Sequence, residues 1–120
     1  MKVGLVGYGK MGRGIFSLLS DAPLEVAVLV RDPAKADRNN RRLERRLRRA
    51  ANSGILDEAD LPDRLAGLRF TSSWKDLRDC GLVIEHAQRR SGKVPGAFFR
   101  RCPTSRYGFA LHLYFRCAKS

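Results

Sequence analysis

The sequence predicts an α/β fold built around a mainly parallel β-sheet, and three observations support it. A short apolar segment, Lys2–Val6, leads into a glycine-rich turn and then into an amphipathic segment. A second apolar run, Val26–Val30, follows that segment. Continuous apolar runs of this length are typical of parallel strands buried on both faces. The first 30 residues therefore predict a strand, a helix that ends near Pro23, and a parallel strand.

The turn after the first strand matches the pattern G-x-G-x-x-G. With a strand before it, a helix after it and a second strand closing the unit, the match is typical of the dinucleotide-binding turn of Rossmann-like folds. Gly7 would allow the tight turn, Gly9 the approach of a pyrophosphate, and Gly12 close packing of the helix on the strand. The alternative is a structural turn that binds nothing. The predicted cofactor-binding residues of the turn are Gly7, Tyr8, Gly9, Lys10, Met11 and Gly12.

The end of the second strand, Val30-Arg31-Asp32, bears on the choice of nucleotide. An acid at this place would bind the ribose 2′-OH of NAD, whereas an arginine can accept the 2′-phosphate of NADP. Arg31 and Asp32 are therefore two further cofactor-binding candidates. In the alternative interpretation, Arg31 faces solvent and Asp32 contacts the ribose or caps the next helix.

A helical pair is predicted after the second strand, at about residues 34–65. Asp32-Pro33 opens a long helix that runs to about Ser53-Gly54, and Asp57–Leu65 forms a second helix. The arginines have three interpretations: a solvated face, contacts to the phosphates of a small molecule, or a nucleic-acid-binding surface. No aromatic residue interleaves with them, which disfavours base stacking. The arginines of the long helix that lie opposite its apolar stripe are Arg38, Arg41, Arg42, Arg45, Arg46 and Arg49.

Two later strands complete the predicted sheet. Leu68–Phe70 is the third strand and Gly81–Ile84 is the fourth, and Ser73–Asp76 has a capping-box pattern that opens a short helix between them. The sequence therefore predicts a Rossmann-like parallel sheet of about four strands, and a dinucleotide-binding domain that covers residues 1–85.

The composition changes sharply at His86. All 12 acids precede it, whereas residues 86–120 hold 8 basic residues and six of the ten aromatic residues. Apart from a short alternation at Leu111, Leu113 and Phe115, the apolar residues fit neither the helical nor the strand period. We predict an irregular basic tail that is foreign to this fold, through a reading-frame change or a gene-model error. The alternative is a native extension that binds an anionic partner.

The overall composition restricts the class of protein. A chain of 120 residues with 43% apolar residues has room for one domain with a core, and its net charge of +12 favours anionic partners. Three isolated cysteines (Cys80, Cys102 and Cys117) suggest neither a disulfide framework nor a metal site, so a reducing compartment, the cytoplasm, is expected. No apolar run approaches the roughly 20 residues of a membrane helix, so no membrane partner is expected.

Several segments together resemble the NAD-binding domain of the 3-hydroxyacyl-CoA dehydrogenase family. The inserted helical pair is a feature of that family and is more telling than the glycines. The resemblance covers Met1–Glu85, about two-thirds of the chain. The segments that carry it are Gly7–Ile15, Arg31–Pro33, Gly54–Leu56, Leu68–Thr71, Asp76-Leu77, Asp79-Cys80 and Leu82–Glu85.

The resemblance implies an oxidoreductase of fatty-acid and butanoate metabolism that oxidises 3-hydroxyacyl-CoA to 3-oxoacyl-CoA with NAD. The family's helical arm contributes to CoA binding, which makes Arg46, Arg49 and Ser53 candidates for contacts with an acyl-CoA thioester. Full-length members form homo-oligomers through a C-terminal helical domain that is not recognisable in this sequence.

The sequence departs from the family pattern at several points. Val30-Arg31 stands where the family usually has Asp, and Arg89 stands where it has a second acid. The Asn-Thr-Ser segment and the catalytic His–Glu pair are not recognisable, so no catalytic residue is predicted. We expect an incomplete domain that binds a dinucleotide without turnover, is marginally stable, and leaves its fourth strand uncovered. The rival hypothesis is a basic Rossmann-like regulatory module that binds nucleic acid, which we consider the weaker of the two.

Overall fold

The computed structural model describes residues 1–86, 99–101 and 111–116. Two short 3-10 helices, Glu58–Asp60 and Trp74–Leu77, accompany the main helices and strands. The main elements in chain order are β1 (Lys2–Val6), α1 (Lys10–Ser20), β2 (Glu25–Leu29), α2 (Pro33–Asn52), α3 (Leu61–Gly67), β3 (Leu68–Thr71), β4 (Leu82–His86), β5 (Phe99–Arg101) and β6 (Leu111–Arg116).

The described strands form one sheet in the order β3-β2-β1-β4-β6-β5. The first four strands in this order are parallel, and Leu5 of β1 lies opposite Val28 of β2 and Ile84 of β4. The apolar runs of β1 and β2 are buried on both faces, as Val26 and Ala27, which point to opposite faces, show. The predicted α/β class with four parallel strands is confirmed.

The helices begin and end for identifiable reasons. The carboxylate of Asp32 accepts a hydrogen bond from the backbone N–H of Ala34 at 2.9 Å, and Pro33 occupies the first turn of α2, where its missing N–H costs nothing. Gly54 follows the end of this helix with φ of +81°, a conformation that favours glycine. The second helix of the predicted pair is present as one 3-10 turn and α3. The helical insertion after the second strand is therefore confirmed.

One side-chain amide and one guanidinium attach these helices to the rest of the domain. The Asn40 side chain of α2 donates to the Phe70 carbonyl at 2.9 Å and accepts from the Phe70 N–H at 2.7 Å, so it pairs with β3 as a neighbouring strand would. The Arg64 guanidinium of α3 donates to the carbonyl oxygens of Ser20 and Ala22, which form the turn between α1 and β2. Both helices of the insertion are therefore held by backbone-directed hydrogen bonds.

Two apolar clusters cover the two faces of the sheet. The first cluster lies under α1 and α2 and includes Val3, Leu5, Phe16, Val28 and Phe70. The second cluster, on the other face, consists of the buried residues Ala27, Leu29, Leu77, Cys80, Val83 and Phe99. Within the described residues, no helix is both long and apolar enough to cross a membrane.

The prediction of an irregular tail is wrong for two segments. β6 pairs with β4 in antiparallel register, Leu82 opposite Phe115, and β5 pairs with β6. The fourth strand is therefore covered at its edge, contrary to expectation, and the sheet is mixed. The sequence gives little indication of β5, because this strand has three residues and two of them are arginines. Phe99 alone carries the apolar contribution of β5 to the core.

The rest of the tail (residues 87–98, 102–110 and 117–120) lies outside the described residues, and Cys102 and Cys117 lie within it. The origin of residues 86–120 is a question about the coding sequence, so their being foreign to the fold stays a prediction.

The capping pattern at Ser73 opens a 3-10 helix. The Ser73 hydroxyl accepts from the Lys75 N–H, while the Asp76 carboxylate accepts from the Thr71 hydroxyl.

Candidate functional site

The glycine-rich turn lies at the carboxyl end of β1, in the middle of the sheet. From β1 the chain proceeds to β2 and β3 on one side, and then crosses to β4 on the other side. Ligands of open α/β sheets bind in the crevice at such a reversal of strand order. The Gly7 N–H donates to the Leu29 carbonyl at 2.9 Å, and Gly7 has φ of +93°, so the turn is fixed to β2 in a conformation that favours glycine.

Two glycines of the turn lack a Cβ for different reasons. A Cβ on Gly12 would lie 2.7 Å from the Gly7 carbonyl oxygen, so packing of α1 against the turn excludes any side chain there. A Cβ on Gly9 would meet no protein atom within 4 Å. Packing therefore requires Gly12 to be glycine, whereas the missing side chain of Gly9 leaves space outside the protein next to its backbone.

The N-terminus of α1 provides the polar groups of the site. Gly9 is the N-cap, and its carbonyl accepts from the Arg13 N–H at 2.9 Å. The N–H groups of the first turn of a helix have no acceptor within the helix and carry a partial positive charge. Lys10 and Met11 are exposed in this turn. The arrangement can accept an anionic group, and a pyrophosphate matches it in charge and hydrogen bonding.

The Tyr8 side chain is used for packing. Its ring meets those of Phe70 and Phe16 edge to face, with centroids 4.7 and 5.8 Å apart, and the Arg13 guanidinium lies 5.5 Å from its centroid. Tyr8 was predicted as a cofactor-binding residue, and the structure joins its side chain to the first apolar cluster. Its position between two glycines of the turn keeps its backbone in the candidate site.

The end of β2 places the two nucleotide-selecting candidates at the surface. Val30 is buried and its N–H donates to the Thr71 carbonyl at 2.8 Å, whereas Arg31 and Asp32 are exposed. The Asp32 carboxylate caps α2, as one of the two interpretations proposed. Among the described residues, the Arg31 guanidinium has no ion-pair partner, so it is available to an anion at this strand end.

The arm candidates Arg46, Arg49 and Ser53 are all exposed. With Arg42 they follow each other at intervals of four, three and four residues, which places them along one face of α2. Arg42 and Arg46 border a cleft of about 130 Å³ that also contains Tyr8. The structure therefore brings Arg46 next to a residue of the glycine-rich turn, while Arg49 and Ser53 lie further along the helix.

Sequence reasoning missed a buried acid at the same edge of the sheet. Glu85 is 2% exposed and lies opposite Val6 of β1, directly before the glycine-rich turn. An acid at the end of an apolar strand was the available signal. Arg13 and Arg42, which line the same cleft as Tyr8, were also missed, because side chains from two helices that share a cleft have no fixed spacing in the sequence.

Two shifted pKa values belong to the amino end of the strands, away from the turn. The Lys2 ammonium, 2.9 Å from the Asp79 carboxylate, lowers the pKa of Asp79 by its hydrogen bond. Burial raises the pKa of the Cys80 thiol to about 11. Both groups lie outside the candidate site.

A parallel sheet with a glycine-rich turn at its switch point, and a helix N-terminus directly after it, defines a dinucleotide-binding domain of the Rossmann type. The family model described as "3-hydroxyacyl-CoA dehydrogenase, NAD binding domain" matches residues 2–91. The chain belongs to this family, and the resemblance seen in the sequence is confirmed. The cofactor class of the family is a nicotinamide dinucleotide.

Relatives and solved structures agree with the family. A 3-hydroxybutyryl-CoA dehydrogenase of Mycobacterium tuberculosis is 37% identical over 84 residues, which are 70% of this chain and 29% of that protein. The crystal structure of M. tuberculosis FadB2 has a TM-score of 0.56 at 36% identity, covering 71% of this chain and 30% of that one. The (S)-3-hydroxybutyryl-CoA dehydrogenase PaaH1 of Ralstonia eutropha gives 0.58 at 30% identity, covering 76% and 32%. The chain thus spans about 30% of the length of these relatives.

Proposed function

We propose that this chain binds a nicotinamide dinucleotide at the glycine-rich turn, as the cofactor domain of a 3-hydroxyacyl-CoA dehydrogenase. One observation carries the proposal: Gly9 has open space where a side chain would stand, at the N-terminus of an 11-residue helix on the switch point of the sheet. The backbone N–H groups there would donate hydrogen bonds to the pyrophosphate. The bound cofactor would supply hydride acceptance from a 3-hydroxyacyl-CoA.

The chain's own residues bind and orient the cofactor in this proposal, and they do not move a proton. The His–Glu pair expected for the family is not recognisable in the sequence. The experiment is a titration of the 120-residue protein with NADH, followed by an assay with NAD and 3-hydroxybutyryl-CoA. We expect NADH binding and no turnover. Turnover at the level of a full-length relative would refute the assignment as a binding domain without catalysis.

We further propose that NAD is the cofactor and that Arg31 shifts preference toward NADP. An exposed guanidinium free of ion pairs within the described residues can pair with a 2′-phosphate, and Val30 provides no carboxylate to repel it. We expect Arg31→Ala to weaken NADPH binding about tenfold while leaving NADH binding unchanged. Arg41→Ala, which removes an exposed arginine of α2, is the matched control. Equal effects of Arg31→Ala on the binding of both cofactors would show that Arg31 does not select the 2′-phosphate.

The exposed face of α2 is proposed to contact the CoA moiety of the substrate. Arg46, Arg49 and Ser53 follow one another on this face, and a row of cations suits the phosphates of an acyl-CoA thioester. Titration of the protein with coenzyme A tests this proposal. We expect Arg49→Gln to weaken binding about fivefold and Arg41→Gln to have no effect. If the two substitutions act alike, general charge rather than this face attracts CoA.

A further inference from the structure

A cleft lies between α1 and α2 on the helical side of the sheet, with a volume of about 130 Å³. Gly9 and the arm residues Arg49 and Ser53 do not line it, whereas Tyr8 of the turn and Arg46 of the arm do. Its walls come from the turn, from both helices and from β3, so the packing of the domain holds them in place. The cleft is therefore a preformed site in addition to the proposed cofactor site.

The inner part of the cleft is aromatic. Phe16 and Phe70 are 2% and 3% exposed, and their ring centroids lie 5.3 Å apart. Tyr8 meets both rings edge to face and completes the wall. Because both phenylalanines are buried, the partly exposed Tyr8 ring is the aromatic surface that a ligand can contact, and its two neighbours hold it in place.

The rim of the cleft is cationic. Arg13, Arg42 and Arg46 line it, and within the described residues none of the three forms an ion pair. Elsewhere arginines do have acidic partners: Arg48 contacts Glu44 at 3.0 Å. Three arginines without ion pairs among the described residues favour an anion beside the Tyr8 ring, and guanidinium pairs well with carboxylate and phosphate.

The size of the cleft decides what it can hold. An engineered protein cavity of about 150 Å³ takes one benzene molecule, whereas pockets for drug-sized ligands have about 300–1,000 Å³. A volume of about 130 Å³ thus has room for one ring, and a whole dinucleotide or coenzyme A would extend out of the cleft. The charged group of the ligand would remain at the open rim, within reach of the arginines.

We propose that this cleft binds a small aromatic anion, a single ring that carries a phosphate or a carboxylate. Its occupation is coupled to the glycine-rich turn through Tyr8, whose ring lines the cleft while its backbone stands between Gly7 and Gly9. When one ligand alters the affinity of another, the second alters that of the first by the same factor. The coupling rests on the proposed dinucleotide binding, whereas binding in the cleft does not.

Calorimetric titration of the 120-residue protein tests the binding, with phenyl phosphate and benzoate as the two probes. Inorganic phosphate, an anion without a ring, and benzyl alcohol, a ring without a charge, serve as controls for the two parts of the ligand. We expect at least one aromatic anion to bind about tenfold more tightly than either half, and Arg42→Gln to weaken it about tenfold. Arg41→Gln removes a neighbouring exposed charge that does not line the cleft, and should change nothing. Absence of binding, equal binding of inorganic phosphate, or equal effects of the two substitutions overturns the site.

A second titration separates the cleft from the cofactor proposal. The Kd for NADH is measured with and without the saturating aromatic anion, and we expect a change of about fivefold in either direction. An unchanged Kd overturns the coupling through Tyr8. If the anion binds and NADH does not, the proposed function fails and the cleft stands. If NADH binds and no aromatic anion does, the cleft fails alone.

Discussion

The two sides of the sheet differ in how they are held. In the parallel side, β1–β4, the strands are buried on both faces, and three helices pack against them or link them. In the antiparallel side, β5 and β6, Phe115 is 50% exposed and Arg100 is exposed. Phe99 is buried from this side, and Tyr114 packs as a partly buried neighbour. Stability is therefore distributed over many residues in one region and concentrated on few in the other.

The two sides also differ in their relation to the proposed cofactor site. The glycine-rich turn, the end of β2 and the arm all belong to the parallel side, and the family match ends at residue 91. The antiparallel strands cover the edge of β4, and their Phe99 and Tyr114 join the apolar cluster on one face of the sheet. The parallel side carries the proposed cofactor site, and the antiparallel side completes the core that keeps this site folded.

The largest effect is expected in the middle of the parallel side. Leu5 is fully buried between β2 and β4, and its neighbours cannot move inward to fill a void. Leu5→Ala should lower the free energy of unfolding by about 4 kcal/mol. Denaturant unfolding measures this value, with Leu18→Ala as a control because Leu18 is 75% exposed. A loss below about 1 kcal/mol would show that β1 is not the centre of the core.

A smaller effect is expected on the antiparallel side. Phe99 is 3% exposed and packs in the second cluster, but it lies in a three-residue strand that can shift toward the void. We expect Phe99→Ala to cost about 3 kcal/mol, and Phe115→Ala, at a half-exposed position, to cost less than about 1 kcal/mol. If Phe99→Ala is also neutral, β5 and β6 contribute nothing to the core, and the parallel side is stable by itself.

The third prediction uses pH to probe the second apolar cluster, which contains both Cys80 and Phe99. The Cys80 thiol is fully buried there, and burial raises its pKa from 9.0 to about 11. The folded protein therefore keeps a proton that the unfolded chain loses, so the contribution of Cys80 to stability falls as pH rises through 9 to 11. Between pH 8 and pH 10 the loss should be about 1 kcal/mol.

The measurement compares denaturant unfolding of the protein and of Cys80→Ala at both pH values. The substitution leaves every other titrating group in place, so the difference between the two slopes belongs to Cys80. Identical pH dependence in the two proteins would mean that solvent reaches the thiol and that the second apolar cluster is not closed around Cys80.

The parallel side could be predicted from the sequence because each of its elements carries a local signal. Val26–Val30 is apolar without interruption, and Asp32-Pro33 marks the start of α2. The antiparallel side could not be predicted, since β6 depends on pairing with β4 and its alternating pattern is only a few residues long. A strand that is half exposed and stabilised by a distant partner leaves little trace in its own residues.

The candidate site divides in the same way. Gly7, Gly9 and Gly12 were identifiable because their spacing follows from the geometry of one turn. The packing role of Tyr8 and the cleft that Arg13 and Arg42 share were not identifiable, because they depend on how α1 and α2 lie against each other. Asp32 had two roles open to it in the sequence, and its distance to the Ala34 N–H shows that it caps α2.

The most direct test of cofactor binding at the turn compares Gly9→Ala with Gly14→Ala. A Cβ at either glycine meets no protein atom within 4 Å, and both residues are exposed near the start of α1. Both variants should therefore unfold within about 1 kcal/mol of the original protein. Because only Gly9 lies where the pyrophosphate must approach, Gly9→Ala should raise the Kd for NADH about tenfold or more, and Gly14→Ala should leave it unchanged. Equal affinity of both variants for NADH would contradict dinucleotide binding at this turn.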